Sequence, residues 1–227
     1  MHWLLLLFAI VALIAGPQWW VKKTLKRHAT ARQDLAGTGG ELAQHLIKQL
    51  NLKQVTLLGD AVSDHYNPIT KQLCLRPEIA NGRSLTAVVV AAHEVGHAIQ
   101  DQQGYRPLQL RTQIARLYIG LERASSYLLV AIPLVMLATR VPQSGIIMAL
   151  IVVGSVIAGV VLNLITLPVE FDASFGRALP LLEQGNYLGK ADLPAARKIL
   201  TACALTYVAA SLLSLLNASR WLRFARR

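Results

Sequence analysis

The stretch Ser84-Leu85-Thr86-Ala87-Val88-Val89-Val90-Ala91-Ala92-His93-Glu94-Val95-Gly96-His97-Ala98-Ile99-Gln100 decides how this chain is read. An apolar run from Leu85 to Ala92 leads straight into an H-E-x-x-H pattern, and Gly104 and Pro107 close the segment. With Ser84 as N-cap, the spacing predicts one helix of about five turns, at about 1.5 Å of rise per residue. Histidines four apart lie on one helical face, one turn apart. Their ring nitrogens can therefore converge on a tetrahedral Zn²⁺, with Glu94 beside the attacking water as the base that takes its proton. The rival reading makes His93 and His97 polar residues of a helix–helix contact, with Glu94 paired to a basic group. Two histidines and a carboxylate on an otherwise apolar helix are costly to bury without a metal or partners, which favours the metal. Gly96 suits a helix packed closely against the site.

Zinc in a catalytic site takes a third protein ligand and keeps a position open. Glu170 is the best distal candidate, in Leu167-Pro168-Val169-Glu170-Phe171-Asp172-Ala173-Ser174, directly after a long apolar helix. An acidic pair at a membrane edge has no evident structural purpose there. Glu170 can also be read as a carboxylate favouring the N-terminus of the next segment. Asp172 competes as the ligand, or serves as an acceptor for a histidine N–H.

Outward from these segments, the composition points to a membrane. Of 227 residues, 54% are hydrophobic and 15% charged, a poor match to a soluble domain of this size. The formal charge of +11 clusters beside apolar runs and accompanies no nucleic-acid-binding motif, so it reads as a signal for anionic lipid and for topology. Cys74 and Cys203 form no C-x-x-C pattern and suggest packing residues in a reducing compartment.

Trp3 to Val21 is nearly all apolar, interrupted by Gly16-Pro17 and closed by Trp19 and Trp20. No Lys or Arg precedes it, so it reads as an uncleaved anchor and not a cleaved signal peptide. The basic residues Lys22, Lys23, Lys26, Arg27 and Arg32 follow it and place that side in the cytoplasm. Two further apolar stretches, about Tyr127 to Thr139 and Ile146 to Leu167, are joined by Arg140-Val141-Pro142-Gln143-Ser144-Gly145, which reads as a turn between antiparallel helices. The first is of span length only if it starts near Leu121. A last apolar helix, about Ile199 to Asn217, precedes the basic tail Arg220, Arg223, Arg226 and Arg227. A fourth full span would put that tail outside, against the positive-inside rule.

Between these runs, Gly37-Thr38-Gly39-Gly40 reads as a flexible break. Leu42, Leu46, Ile47 and Leu50 then recur at helical spacing, and Val55 to Leu58 and Leu73 to Leu75 read as short strands. The segment between those strands, with Asp60, Asp64 and Asn67-Pro68, reads as turns, and the strand near Leu73 as an edge on which an extended substrate pairs. Tyr66 or His65 is a candidate donor to the oxyanion, against a bland turn in which Asp64 caps and Pro68 bends.

With Asp64-His65-Tyr66-Asn67-Pro68, the segment Arg83 to Gln100 and the segment Leu167 to Ser174 in hand, the sequence resembles the YugP-type membrane zinc metallopeptidases, across most of its length. The resemblance implies His93 and His97 as zinc ligands, Glu94 as base and Glu170 as third ligand, a gluzincin-like set with one Zn²⁺ per chain. The arrangement is similar to that of HtpX-type membrane proteases, whose later segment reads E-x-x-A-D; this chain has Ser174 where that pattern has its aspartate.

The fold expected is mainly α with a small β element: a multi-span helical membrane protein carrying a zincin-like catalytic domain. Its expected parts are an anchor at 1–21, a catalytic region at 22–120, a transmembrane hairpin at 121–167, a third-ligand segment at 168–198, and an apolar helix with basic tail at 199–227. The function expected is a zinc endopeptidase acting on protein or peptide substrates, held in the bilayer of a bacterial inner membrane with its site on the cytoplasmic side. Two rival readings are an intramembrane protease and a non-catalytic zinc-containing adaptor. Only about eight apolar residues precede His93 and polar residues follow soon after, which disfavours the first. Structural zinc usually takes four protein ligands and only three are evident, which disfavours the second.

Overall fold

The structure, a computed structural model, describes residues 2–139 and 143–216. The expected turn at Arg140-Val141-Pro142 and the basic tail lie outside the described residues.

Helix α4 (Leu85–Gln102) is the centre of the molecule, and every residue from Leu85 to Gln100 is buried. Ser84 caps it as expected, its hydroxyl accepting from the Ala87 N–H at 3.1 Å. The other end closes where the Gly104 and Tyr105 N–H groups bond back to the Asp101 and Gln100 carbonyls at 3.0 and 2.9 Å. A helix apolar all round needs packing partners on every side. Helices α2 (Gly39–Gln49) and α3 (Pro77–Ala80) and a three-stranded sheet supply part of them. Leu46, Leu73, Leu75, Val89 and Val95 are essentially inaccessible in that core, each worth about 1.5–3 kcal/mol in transfer from water.

Gly39 and Gly40 are not a flexible break. They form the buried first turn of α2, capped by a reciprocal Thr38–Glu41 box, and a Cβ on Gly39 would stand 2.5 Å from the Ile79 carbonyl and 2.6 Å from that of Ala87. Glycine serves there for close backbone approach.

The sheet has three strands where two were expected. Strand β1 (Thr56–Leu58) pairs parallel with β3 (Gln72–Cys74), and β2 (His65–Asn67) pairs antiparallel with β3, in the order β1-β3-β2. The segment read as turns thus contains a strand. The strand near Leu73 is central, with both sides paired, so it offers no edge to a substrate; the edges are β1 and β2.

The long helices are α1 (His2–Arg27), α5 (Arg106–Thr139), α6 (Gln143–Phe171) and α8 (Leu193–Leu216). Helix α1 continues through Gly16-Pro17, and α5 starts at Arg106, well before the apolar segment expected at Tyr127. Helix α8 packs against α1 and α6, and α6 against α5. Between α6 and α8 come a π-helical turn (Asp172–Ala178), α7 (Leu179–Gln184) and a 3₁₀ turn (Lys190–Asp192).

The end of α1 is tied to the start of α4: Thr86 donates its hydroxyl to the Leu25 carbonyl at 2.8 Å and its N–H to the His28 carbonyl at 3.1 Å, and Arg32 N–H bonds the Arg83 carbonyl at 2.8 Å. Among the described residues, one helical stretch, Ile157–Gln184, is long and apolar enough to cross a membrane. The several spans expected from the sequence are not matched by that count. The mainly helical fold with one small sheet is as expected.

Candidate metal centre

The 3.6-residue period of α4 sets His93 and His97 one turn apart on the face turned toward the end of α6, with ring centroids 4.8 Å apart and planes at 79°. From α6, Glu170 brings Oε2 to 3.2 Å from His93 Nε2 and 3.3 Å from His97 Nε2. The three candidate donor atoms all lie within 4.8 Å of one another, and all three side chains are buried. Zinc–ligand bonds of about 2.0–2.1 Å in a tetrahedron put neighbouring donors about 3.3 Å apart, so the two histidine–carboxylate separations fit such an ion.

The hydrogen bonds behind the imidazoles sharpen this fit. Gln100 Nε2 donates to the Val169 carbonyl and to Asp172 Oδ2, both at 2.8 Å, so the amide oxygen is turned to His97 Nδ1, 2.9 Å away, and accepts its proton. Ser174 donates to the Leu200 carbonyl at 3.3 Å and stands 3.0 Å from His93 Nδ1, whose N–H it accepts. In the neutral rings both Nε2 atoms are then bare lone pairs facing a carboxylate oxygen. Three acceptors in a buried space repel one another unless a cation sits among them. Glu170 Oε1 is also buried without a hydrogen-bond partner, although Arg111 Nη1 lies 3.4 Å from it. The residues present fit a divalent ion of zinc's preferences.

The approach of α4 to the segment that carries Glu170 depends on Gly96, where a Cβ would stand 2.6 Å from the Ala173 carbonyl. Pro168 near the end of α6 and the π-helical turn from Asp172 interrupt regular α geometry on either side of Glu170. Such wide turns recur at functional sites, where they re-aim side chains.

Glu94 points from the same helix and is buried; desolvation is the main cause that pushes its carboxyl from the usual 4.5 up to about 7, with the neighbouring carboxylates of Glu170 and Asp64 adding to it.

Of the two acids weighed as third ligand, the structure brings Glu170 to the histidines and sets Asp172 one step behind, accepting from Gln100 and from Arg177 Nε at 3.1 Å. Ser174 supports His93 through its hydroxyl where the related pattern has a carboxylate. Tyr66 does not face the centre: its hydroxyl donates to Asp101 Oδ2 at 2.6 Å, beside Lys71 Nζ at 2.6 Å. His65 is exposed and pairs with Ser63. Asp64 caps the segment before α3, accepting from Arg76 N and Nε at 2.8 and 2.7 Å. Sequence reasoning gave no role to Gln100 or Arg111. The signal for Gln100 is its place three residues after His97 on one helix face; nothing local marks Arg111.

No solved structure matches this chain. The "Putative membrane protease YugP" of Bacillus subtilis (strain 168) is 33% identical over 225 residues, covering 97% of this chain and 95% of that protein. The family model described as "Putative neutral zinc metallopeptidase" matches residues 3–226, which take in α4, the end of α6 and the whole of the candidate centre between them, and the chain belongs to that family.

Proposed function

We propose that this protein is a membrane-anchored zinc endopeptidase that cuts exposed or unfolded segments of membrane and membrane-proximal proteins at the cytoplasmic face of the inner membrane. The observation that carries the reading is the convergence of His93 Nε2, His97 Nε2 and Glu170 Oε2 within 4.8 Å, with the buried carboxyl of Glu94 on the same helix.

His93, His97 and Glu170 would hold one zinc per chain, which would supply Lewis acidity to polarise a peptide carbonyl and acidify water. Ser174 and Gln100 hold the two rings in the tautomer that leaves Nε2 available. Glu94, buried on the same helix as the two histidines, takes the proton of the attacking water and delivers it to the leaving nitrogen. A C–O bond forms, the C–N bond breaks, and the proton ends on the amine.

In this reading 22–120 and 168–198 form the catalytic unit, and 1–21, 121–167 and 199–227 are its membrane part, with several spans. Large apolar side chains exposed along the helices support it, among them Leu117, Leu137, Leu150 and Leu164, each at least 64% exposed. So does Trp19, which is 62% exposed with Lys23 Nζ 4.4 Å from its ring centroid, a pairing suited to the boundary beside a cytoplasmic basic cluster. The name of the Bacillus relative, a membrane protease, points the same way.

The test is cleavage of an unfolded protein by detergent-purified wild type and Glu94→Gln, each with zinc content measured. Cleavage by wild type alone, at equal zinc, is expected. One zinc in each and cleavage by neither would make the metal structural.

A further inference from the structure

Hydrolysis of an amide places negative charge on the oxygen of the attacked carbonyl, and removing a single donor to such an oxygen costs about 100- to 1,000-fold in rate. The aromatic hydroxyl that the sequence offers for this, on Tyr66, is held by Asp101 away from the centre. Arg111, in the second turn of α5, stands elsewhere. Its Nη1 is 3.4 Å from Glu170 Oε1, the carboxylate oxygen turned away from the histidine nitrogens. Its side chain is 20% exposed whereas that of Glu170 is 1% exposed, so the guanidinium joins the buried donor set to the outside, where a substrate must enter. Its positive charge is also felt by the carboxyl of Glu94. Arg111 therefore stands against the Glu170 carboxylate on its more exposed side, where a substrate oxygen can come within its reach. A guanidinium carries five N–H donors in a planar fork, enough to hold Glu170 Oε1 and a substrate oxygen at once.

We propose that Arg111 is a catalytic residue that donates an N–H to the oxygen of the attacked carbonyl as that oxygen becomes negative. This rests on the endopeptidase reading above. The competing role, in which Arg111 only props Glu170, makes a different prediction: its loss would act through the metal and would weaken every metal-dependent property together.

The experiment compares zinc-loaded wild type, Arg111→Lys and Arg111→Gln in detergent. Zinc content, peptide kcat and KM, and calorimetric affinity for two peptides of one sequence are measured. One carries a phosphinate, a tetrahedral anion, in place of the scissile amide; the other carries a reduced amide without the anionic oxygen. The expected result for Arg111→Gln is full zinc, kcat down about 100-fold or more with KM little changed, phosphinate affinity down by a similar factor, and reduced-amide affinity within about threefold of wild type. Arg111→Lys, which keeps the charge but loses the fork, should fall between. Equal phosphinate affinity in all three proteins, or losses that follow zinc content, would overturn the proposal. If wild type cuts nothing, the endopeptidase reading falls, and the calorimetric comparison still decides whether Arg111 meets a tetrahedral anion.

Discussion

Gln100 lies 2.9 Å from His97 Nδ1 through its amide oxygen and 2.8 Å from Asp172 Oδ2 through its amide nitrogen, joining the histidine helix to the segment that carries Glu170. An amide is the one common side-chain group that can accept from the imidazole and donate to a carboxylate and a carbonyl together. Gln100→Leu, close in volume, keeps the packing and loses the tautomer control. We expect zinc affinity about 10- to 100-fold weaker, the usual cost of removing a partner behind a metal-bound histidine. Gln100→Glu should fare no better, since a carboxylate there would face Asp172 and the Val169 carbonyl with no proton to offer. Chelator competition on the two variants checks both statements.

Glu94 makes the metal-stripped protein sensitive to pH. Its folded carboxyl titrates at about 7 against an ordinary 4.5, because burial penalises the anion. Below 4.5 both folded and unfolded chains hold the proton and nothing is lost. Between 4.5 and 7 the unfolded chain releases it while the folded chain keeps it, so stability falls as pH rises, reaching a total on the order of 3 kcal/mol. Glu94→Gln is neutral throughout, and the histidines are common to both proteins. The thermal midpoint of stripped Glu94→Gln minus that of wild type should therefore grow from pH 5 to pH 7.5, and a difference that stays flat would contradict the buried, proton-holding carboxyl. With zinc bound the cation favours the anion, and the same difference should shrink.

The histidine helix was legible because spacing four apart fixes a face whatever the rest of the chain does, and Ser84 was legible because a cap acts on its own next turn. Glu170 stood out as an acid ending an apolar run. What stayed hidden depends on pairing at a distance. Strand β2 has three residues and exists only through β3. Gly39-Gly40 has the same composition whether it bends freely or seats a helix against two carbonyls. Arg111 is one of many basic residues until α6 folds back and puts Glu170 beside it. Tyr66 shares a short block with Asp64 and His65, yet alternation along a strand and the approach of Asp101 send its hydroxyl elsewhere.

At Gly96 the backbone of α4 closely approaches the π-helical turn. Alanine there sets a methyl 2.6 Å from the Ala173 carbonyl, and since both elements are buried helix backbone, neither yields cheaply. We expect Gly96→Ala to cost about 1–3 kcal/mol and to separate Glu170 from the two histidines. Zinc affinity should drop along with the thermal midpoint. Loss of stability with unchanged zinc affinity would mean that the third-ligand segment moves with α4 as a unit.

Glu170 and Asp172 are two residues apart and chemically alike, so their removal tests the geometry of the centre most directly. Glu170 Oε2 stands 3.2 and 3.3 Å from the two Nε2 atoms, whereas Asp172 reaches His97 only through Gln100. Glu170→Ala takes away a donor and leaves two imidazoles, which cannot close a tetrahedral site. Asp172→Asn keeps an acceptor oxygen for Gln100 and disturbs only its charge and the contact with Arg177. Metal analysis after dialysis against a weak chelator should find Glu170→Ala empty and Asp172→Asn largely loaded, its affinity reduced by no more than the about 10- to 100-fold of a supporting residue. The reverse order would transfer the ligand role to Asp172, which would require the segment to shift its register by two residues and bring Asp172 to the face that Glu170 now holds.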